Sequence, residues 1–144
     1  MKKTLLICSF LLSFSVAFAQ TEDISKQLCD CGSNSKELKP IFKTFVSNYL
    51  TEKNSVTINS FLEEMKPYPE AEAKKILKEL RSKEVKKASK DIKKCTKVIK
   101  PMYQKLSDAD KATVDAKVMA DENCAFALTI IKKQIKKQED KKKK

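Results

Sequence analysis

The sequence predicts an all-α protein, a small disulfide-tied helical bundle of about four helices. Two observations lead to this fold class. The 125 residues that follow a predicted leader contain a single glycine, Gly32, whereas strand-rich folds need many glycine-containing turns. Apolar residues also recur at steps of three and four along most of this segment, which is typical of amphipathic helices. Four cysteines in the same segment supply the predicted ties between helices.

The first nineteen residues have the pattern of an export signal. Two lysines precede an uncharged, mostly apolar run from Leu5 to Phe18, which contains the fifth cysteine, Cys8. The small-x-small pattern that signal peptidase cleaves ends at Ala19. We therefore expect residues 1–19 to be a cleaved signal peptide and the protein to be periplasmic or secreted. No transmembrane segment is expected after cleavage, because no other apolar run approaches about 20 residues.

The first predicted helix carries its apolar face at steps of four and three, at Ile24, Leu28, Cys31, Ser35, Leu38, Phe42, Phe45 and Tyr49. Gly32 and Pro40 interrupt this pattern, because glycine and proline weaken helix interiors. Two alternatives remain open. Either the helix ends at Cys31 and restarts near Ser35, or one helix continues through a weak point.

A short second helix and a long third helix follow. Thr57 is expected to cap the second helix, which the Pro67-Tyr68-Pro69 segment ends. The third helix is expected from about Glu70 to about Leu106, with an apolar face that includes Cys95. Pro101 is expected to kink or stop this helix.

The last helical region is predicted to begin after Ser107, an N-cap followed by an acidic first turn. Its apolar face includes Cys124, and a break is expected near Asp121-Glu122-Asn123. The lysine-rich end, residues 138–144, is expected to be a disordered or frayed tail. The single helical domain is therefore expected over residues 20–137.

The four cysteines are expected to form two structural disulfides. Cys29 lies two residues from Cys31, about 200° around an ideal helix, and a bond between these two would close a strained ring. Each is therefore expected to pair with Cys95 or Cys124. Two connectivities remain, 29–95 with 31–124, or 29–124 with 31–95. We expect the helix to unwind between Cys29 and Gly32 so that both thiols turn inward.

The Cys29-Asp30-Cys31 segment has two other interpretations. A C-x-C pair is also found in redox dithiols and in soft sites for copper(I) or zinc. Asp30 opposes a redox role by charge repulsion with a thiolate. The usual C-x₂₋₄-C zinc pairs are absent, and an oxidising compartment favours disulfides. We expect no metal and no cofactor.

The chain is strongly basic, with a formal net charge of +12. Residues 132–144 hold eight lysines against two acids, a net of +6, and residues 20–131 carry only +4. A basic tail attracts phosphate and carboxylate groups. Nucleic acid is not expected as a partner, because the chain is exported and Arg81 is its only arginine.

Several absences argue against catalysis. The chain has no histidine, which removes Ser-His-Asp and Cys-His chemistry, and no glycine-rich phosphate loop. Carboxylate pairs occur at Glu63-Glu64, Glu70/Glu72 and Asp121-Glu122, in settings typical of helix surfaces and caps. We expect no catalytic residue, and a protein that is not an enzyme.

Three functional hypotheses follow. The first is a non-enzymatic exported protein that binds or supports an envelope component, anionic or another exported protein, with its lysine-rich third helix and tail attracted to anionic surfaces. The second is a carrier of a hydrophobic small ligand in an inter-helix cavity lined by Phe42, Phe45, Tyr49, Phe61, Met65 and Tyr68. The third is a thiol-disulfide redox protein that uses Cys29 and Cys31.

Overall fold

A computed structural model describes the backbone of residues 2–143 and the side chains of residues 18–143. Over this part of the chain the fold consists of helices and turns, without strands, so the all-α prediction is confirmed. The expected number of about four helices is wrong, because the described residues form seven. These are α1 (Lys2–Ser33), α2 (Pro40–Thr51), α3 (Asn54–Met65), α4 (Glu70–Leu80), α5 (Lys83–Gln104), α6 (Asp108–Val118) and α7 (Glu122–Lys142).

The first predicted helix is divided between α1 and α2. The helix ends at Ser33 and restarts at Pro40, so the interrupted alternative is the one observed. Lys39 has an extended backbone, with φ −60° and ψ 151°, as the residue before a proline prefers. Pro40 then occupies the first helical position, where its missing N–H sacrifices no intrahelical hydrogen bond.

The third predicted helix is divided between α4 and α5. Ser82 has an extended backbone, and its Oγ accepts a hydrogen bond from the Val85 amide at 3.3 Å. This side chain satisfies one of the free N–H groups at the start of α5 and therefore acts as its N-cap. The division turns the chain between the two helices and places Arg81 at the junction.

Three other expected boundaries differ from the structure. Thr57, expected as an N-cap, lies buried inside α3, which begins at Asn54. Pro101, expected to kink or stop the helix, does not stop it, because α5 continues to Gln104. Helix α7 continues to Lys142, so most of the segment expected to be a tail is helical.

The hydrophobic core surrounds α1, which packs against α5, α6 and α7. The largest fully buried apolar side chains come from these four helices and from α2: Ile24, Leu28, Val46, Ile92, Ile99, Val114, Val118, Leu128, Ile130 and Ile131. Each such side chain contributes about 1.5–3 kcal/mol relative to leaving it in water. Helices α3 and α4 are peripheral, and they pack mainly against α2 and α5 respectively.

The predicted signal, residues 1–19 with Cys8 inside it, lies almost wholly outside the described side chains, and its cleavage stays a prediction. In the described part of the chain, no helix has both the length and the apolarity required to span a bilayer.

Gly32 lies directly against the start of α7. A Cβ atom built on this residue would overlap the Asn123 carbonyl group and lie 3.0 Å from the Cys124 amide nitrogen. These are backbone atoms, which cannot turn aside as the end of a flexible side chain can. Only a residue without a side chain therefore allows α1 and α7 to approach this closely.

We expect Gly32→Ala to destabilise the fold by about 3 kcal/mol, because the added methyl group forces the two helices apart. Chemical denaturation monitored by circular dichroism would measure the change. The control is Ser33→Ala at the neighbouring exposed position, which should change the free energy of unfolding by less than about 0.5 kcal/mol. Equal unfolding midpoints for the two variants would contradict the close approach.

Candidate functional site

The four cysteines lie in two pairs at disulfide-bonding distance. Cys29 faces Cys124 with a Cα–Cα distance of 4.1 Å, and Cys31 faces Cys95 with a Cα–Cα distance of 5.7 Å. This is the second of the two connectivities weighed from the sequence. The pairs connect α1 to α7 and to α5 respectively. The cysteines therefore lie where they tie helices together.

The expected unwinding of α1 at Cys29–Gly32 is wrong. The helix remains regular through Ser33, and the two cysteines still reach different partners. The reason is that α1 lies between its neighbours, with α5 and α7 both packed against it. Side chains on different sides of one central helix can thus each meet a partner without any change in the backbone.

The residues considered for metal binding or catalysis are dispersed. In the described part of the chain, no group of three or more His, Cys, Asp or Glu side chains is placed to hold a metal ion. Glu63 pairs with Lys66 at 2.5 Å, and Glu70 pairs with Lys74 at 2.6 Å. Asp121 caps α7 by accepting the amides of Asn123 and Cys124. These carboxylates have structural partners on exposed surfaces.

Five of the six side chains expected to line an enclosed cavity separate into two groups, and the sixth, Tyr68, is exposed. Three of them are buried in the core: Phe42, Phe61 and Met65. The rings of Phe45 and Tyr49 stack with their centroids 6.2 Å apart, and Tyr49 is 47% exposed. These two side chains line a groove that is open to solvent.

A row of lysines runs along one side of α5. Lys86, Lys90, Lys93, Lys97 and Lys100 are separated by four, three, four and three residues, so they lie on the same side of the helix. We call these five residues the lysine stripe. Among the described side chains, no carboxylate lies within 4.0 Å of any of them, although eight ion pairs form elsewhere. Their mutual repulsion decreases when an anion binds across them.

Much of the positive charge lies on α5 as well as at the end of the chain. Helix α5 carries eight lysines against Glu84 and Asp91, a net of +6, as large as that of residues 132–144. Residues 20–131 carry a net charge of +4, so the residues of this segment outside α5 carry a net charge of −2. The basicity is therefore concentrated on α5 and the end of α7.

An open groove with apolar walls borders the first half of the stripe. We call it the apolar groove, and its volume is about 450 Å³. Phe45 and Tyr49 from α2 and Leu80 and Val85 from α4 and α5 contribute its apolar surface. Its basic side chains are Arg81, Lys86, Lys90 and Lys93, and neither aspartate nor glutamate lines it.

A second groove, the basic groove, continues from the first and shares Lys93 with it. Its volume is about 330 Å³, and it lies between α5, α7 and the end of α2. Lys97 and Lys100 line one side, whereas Lys137 and Lys141 line the other. Four lysines from two helices, together with Lys93, thus surround one depression in the surface.

Part of the basic groove also stabilises the end of α2. The Lys137 ammonium group donates a hydrogen bond to the Thr51 carbonyl at 2.5 Å, and the Gln134 amide donates to the Leu50 carbonyl at 3.3 Å. These carbonyls belong to the last turn of α2, where intrahelical partners are missing. Glu52, the one acidic residue lining this groove, lies 3.9 Å from Lys137.

Tyr103 takes part in a contact that links α5, α6 and α7. Its hydroxyl donates to Asp115 at 2.7 Å, and Lys132 of α7 pairs with the same carboxylate. Burial and the hydrogen bond to Asp115 raise the pKa of Tyr103 well above its usual value, so the hydroxyl remains a donor. The contact joins α5, α6 and α7 and keeps the lysines of α5 and α7 close together.

In comparisons with known proteins, no family model, no curated protein and no solved structure matches this chain.

We expect peptide mapping under non-reducing conditions to join Cys29 to Cys124 and Cys31 to Cys95, because these thiols are adjacent in the structure. Trypsin alone leaves Cys29 and Cys31 in one peptide, so a second protease that cuts at Asp30 is needed to separate them. Mass spectrometry before and after reduction would identify each pair.

The same map tests the redox hypothesis. A Cys29–Cys31 bond, or free thiols at these positions under mild oxidation, would contradict the structural role. Removing either observed pair by double substitution to alanine should cost about 2–5 kcal/mol of stability, measured by denaturation, since each pair closes a long loop.

Proposed function

We propose that this chain is a non-enzymatic exported protein that binds an anionic component of the cell envelope through the lysine stripe. The observation that carries the proposal is five aligned lysines with no carboxylate partner among the described side chains. Eight described lysines outside the stripe take part in ion pairs, such as Lys66 with Glu63. The stripe therefore has an excess of positive charge that an external anion would balance.

The length and chemistry of the stripe favour an extended ligand. Fourteen helical steps from Lys86 to Lys100 cover about 21 Å, which is far longer than a single phosphate or carboxylate group. Lysine ammonium groups are mobile point charges, and they suit distributed negative charge better than one rigidly held anion. An anionic lipid surface provides such a distribution.

Two features support a place in the envelope. The pattern of residues 1–19 is that of an export signal. The cysteine pairs at bonding distance are compatible with an oxidising compartment, where such pairs form and persist.

Vesicle binding tests the proposal. We expect the mature protein to bind vesicles that contain phosphatidylglycerol and not vesicles of phosphatidylcholine alone. Binding should weaken steeply between about 50 and 200 mM salt, because the attraction is electrostatic. The variant Lys90→Gln/Lys93→Gln/Lys97→Gln should bind about 100-fold more weakly, since each lysine near an anionic surface contributes about 1 kcal/mol. Sedimentation of vesicles with bound protein measures the affinity.

The matched control is Lys66→Gln/Lys74→Gln/Lys75→Gln, which removes the same total charge from exposed positions outside the stripe. This variant should keep vesicle affinity within about threefold of the unmodified protein, because the stripe is intact. Equal losses in the two triple variants would show a general charge effect and contradict the proposal. Binding that is independent of salt would contradict it as well.

A further inference from the structure

We propose that the apolar groove binds one free fatty acid, whose carboxylate pairs with Arg81 and Lys86 at the rim. The proposal deepens the proposed function and rests on it, since Lys86, Lys90 and Lys93 belong both to this groove and to the lysine stripe. It assigns a ligand class to a groove that combines an apolar wall with cationic groups.

The apolar wall is held in place before any ligand binds. The Phe45 ring stacks on Tyr49 and contacts the buried Phe61 edge-on, with centroids 5.3 Å apart. Leu80 and Val85 contribute the remaining apolar surface. Because Tyr49 is 47% exposed and Leu80 is half-buried, an alkyl chain in this groove would remove apolar surface from water.

The charge at the rim is not neutralised by the protein itself. Arg81 forms no ion pair among the described residues, and no acidic side chain lines the groove. Glu79, the nearest carboxylate along the chain, is paired with Lys39 at 2.5 Å, and this hydrogen bond lowers the pKa of Glu79. The guanidinium of Arg81 can therefore offer its two parallel donors to the carboxylate of a ligand.

The shape of the groove favours a free molecule over a membrane. Side chains that insert into a bilayer protrude from the surface, whereas Phe45, Tyr49, Leu80 and Val85 line a depression. The volume of about 450 Å³ lies within the range of small-molecule sites, about 300–1,000 Å³. One alkyl chain with one acid group matches an apolar groove that is basic along its rim.

Calorimetry with three soluble probes tests the ligand class on the mature, oxidised protein. Decanoate, used as a monomer below its micelle concentration, should bind with a stoichiometry of one. Butanoate has the same acid group and six fewer methylene groups, and it should bind at least about 100-fold more weakly. The uncharged 1-decanol should bind about tenfold more weakly than decanoate, because it lacks the charge that pairs with Arg81.

Substitutions locate the site. Tyr49→Ser should weaken decanoate binding about tenfold, because it removes half of the stacked aromatic wall. Tyr68→Ser is the matched control, since Tyr68 is similarly exposed and lies outside the groove, and it should leave the affinity unchanged. Arg81→Gln should weaken decanoate about tenfold and leave 1-decanol unaffected. Circular dichroism would check that each variant is folded.

The outcomes separate this inference from the proposed function. Salt-dependent vesicle binding without saturable decanoate binding would overturn the fatty acid site and leave the proposed function standing. Saturable decanoate binding without vesicle binding would overturn the proposed function and leave the groove as a ligand site. Equal effects of Tyr49→Ser and Tyr68→Ser, or equal affinities for decanoate and butanoate, would also overturn the fatty acid site. Tyr49→Ser itself should leave vesicle binding unchanged, because it retains every lysine of the stripe.

Discussion

The contact between Gly32 of α1 and the backbone at the start of α7 determines where the neighbouring helices lie. With no side chain in the way, α1 rests against Asn123 and Cys124, and Cys29 lies beside Cys124. Cys31, on another side of the same helix, then meets Cys95 of α5. A single small residue thus permits α1 to occupy the centre of the bundle, with both α5 and α7 packed against it.

The distribution of charge on the surface depends on this arrangement. Since α5 and α7 both pack their apolar sides against α1, their lysine-bearing sides remain outside and lie next to each other across the basic groove. Like charges at this density weaken the compact state by repulsion. The buried apolar side chains, the cysteine pairs and the Tyr103–Asp115–Lys132 contact oppose that repulsion. The stability that these contacts supply therefore allows the lysine stripe to remain without neutralising carboxylates among the described side chains.

Local signals in the sequence were sufficient to predict the all-α fold class. A single glycine after the predicted leader, apolar periodicity and a serine cap at Ser107 are signals that can be read directly from the sequence. The division at Ser82 was missed because the apolar spacing continues across it, so a capping serine resembles any other polar residue in a helix. The continuation of α1 through Cys29–Gly32 was missed because its central position is a property of the whole bundle.

The candidate site was only partly predictable for the same reason. The lysine-rich third helix was visible in the sequence, and so were the aromatic residues of α2. Nothing in the sequence near Leu80 indicates that this residue borders an open groove with Phe45 and Tyr49. Such a groove arises from the way α2 lies beside the α4–α5 junction, and pattern analysis along one chain does not describe that geometry.

The order of the helices along the chain has a consequence for biogenesis. The helix at the centre of the core is synthesised first, whereas its tied partners follow 64 and 95 residues later. Until the final helix is complete, α1 lacks the apolar surface that α7 contributes to its cover. The nascent chain therefore leaves part of the apolar surface of α1 uncovered until α7 is available, and such exposed surface favours aggregation. In this architecture, the hydrophobic core is complete only after the last helix has been synthesised.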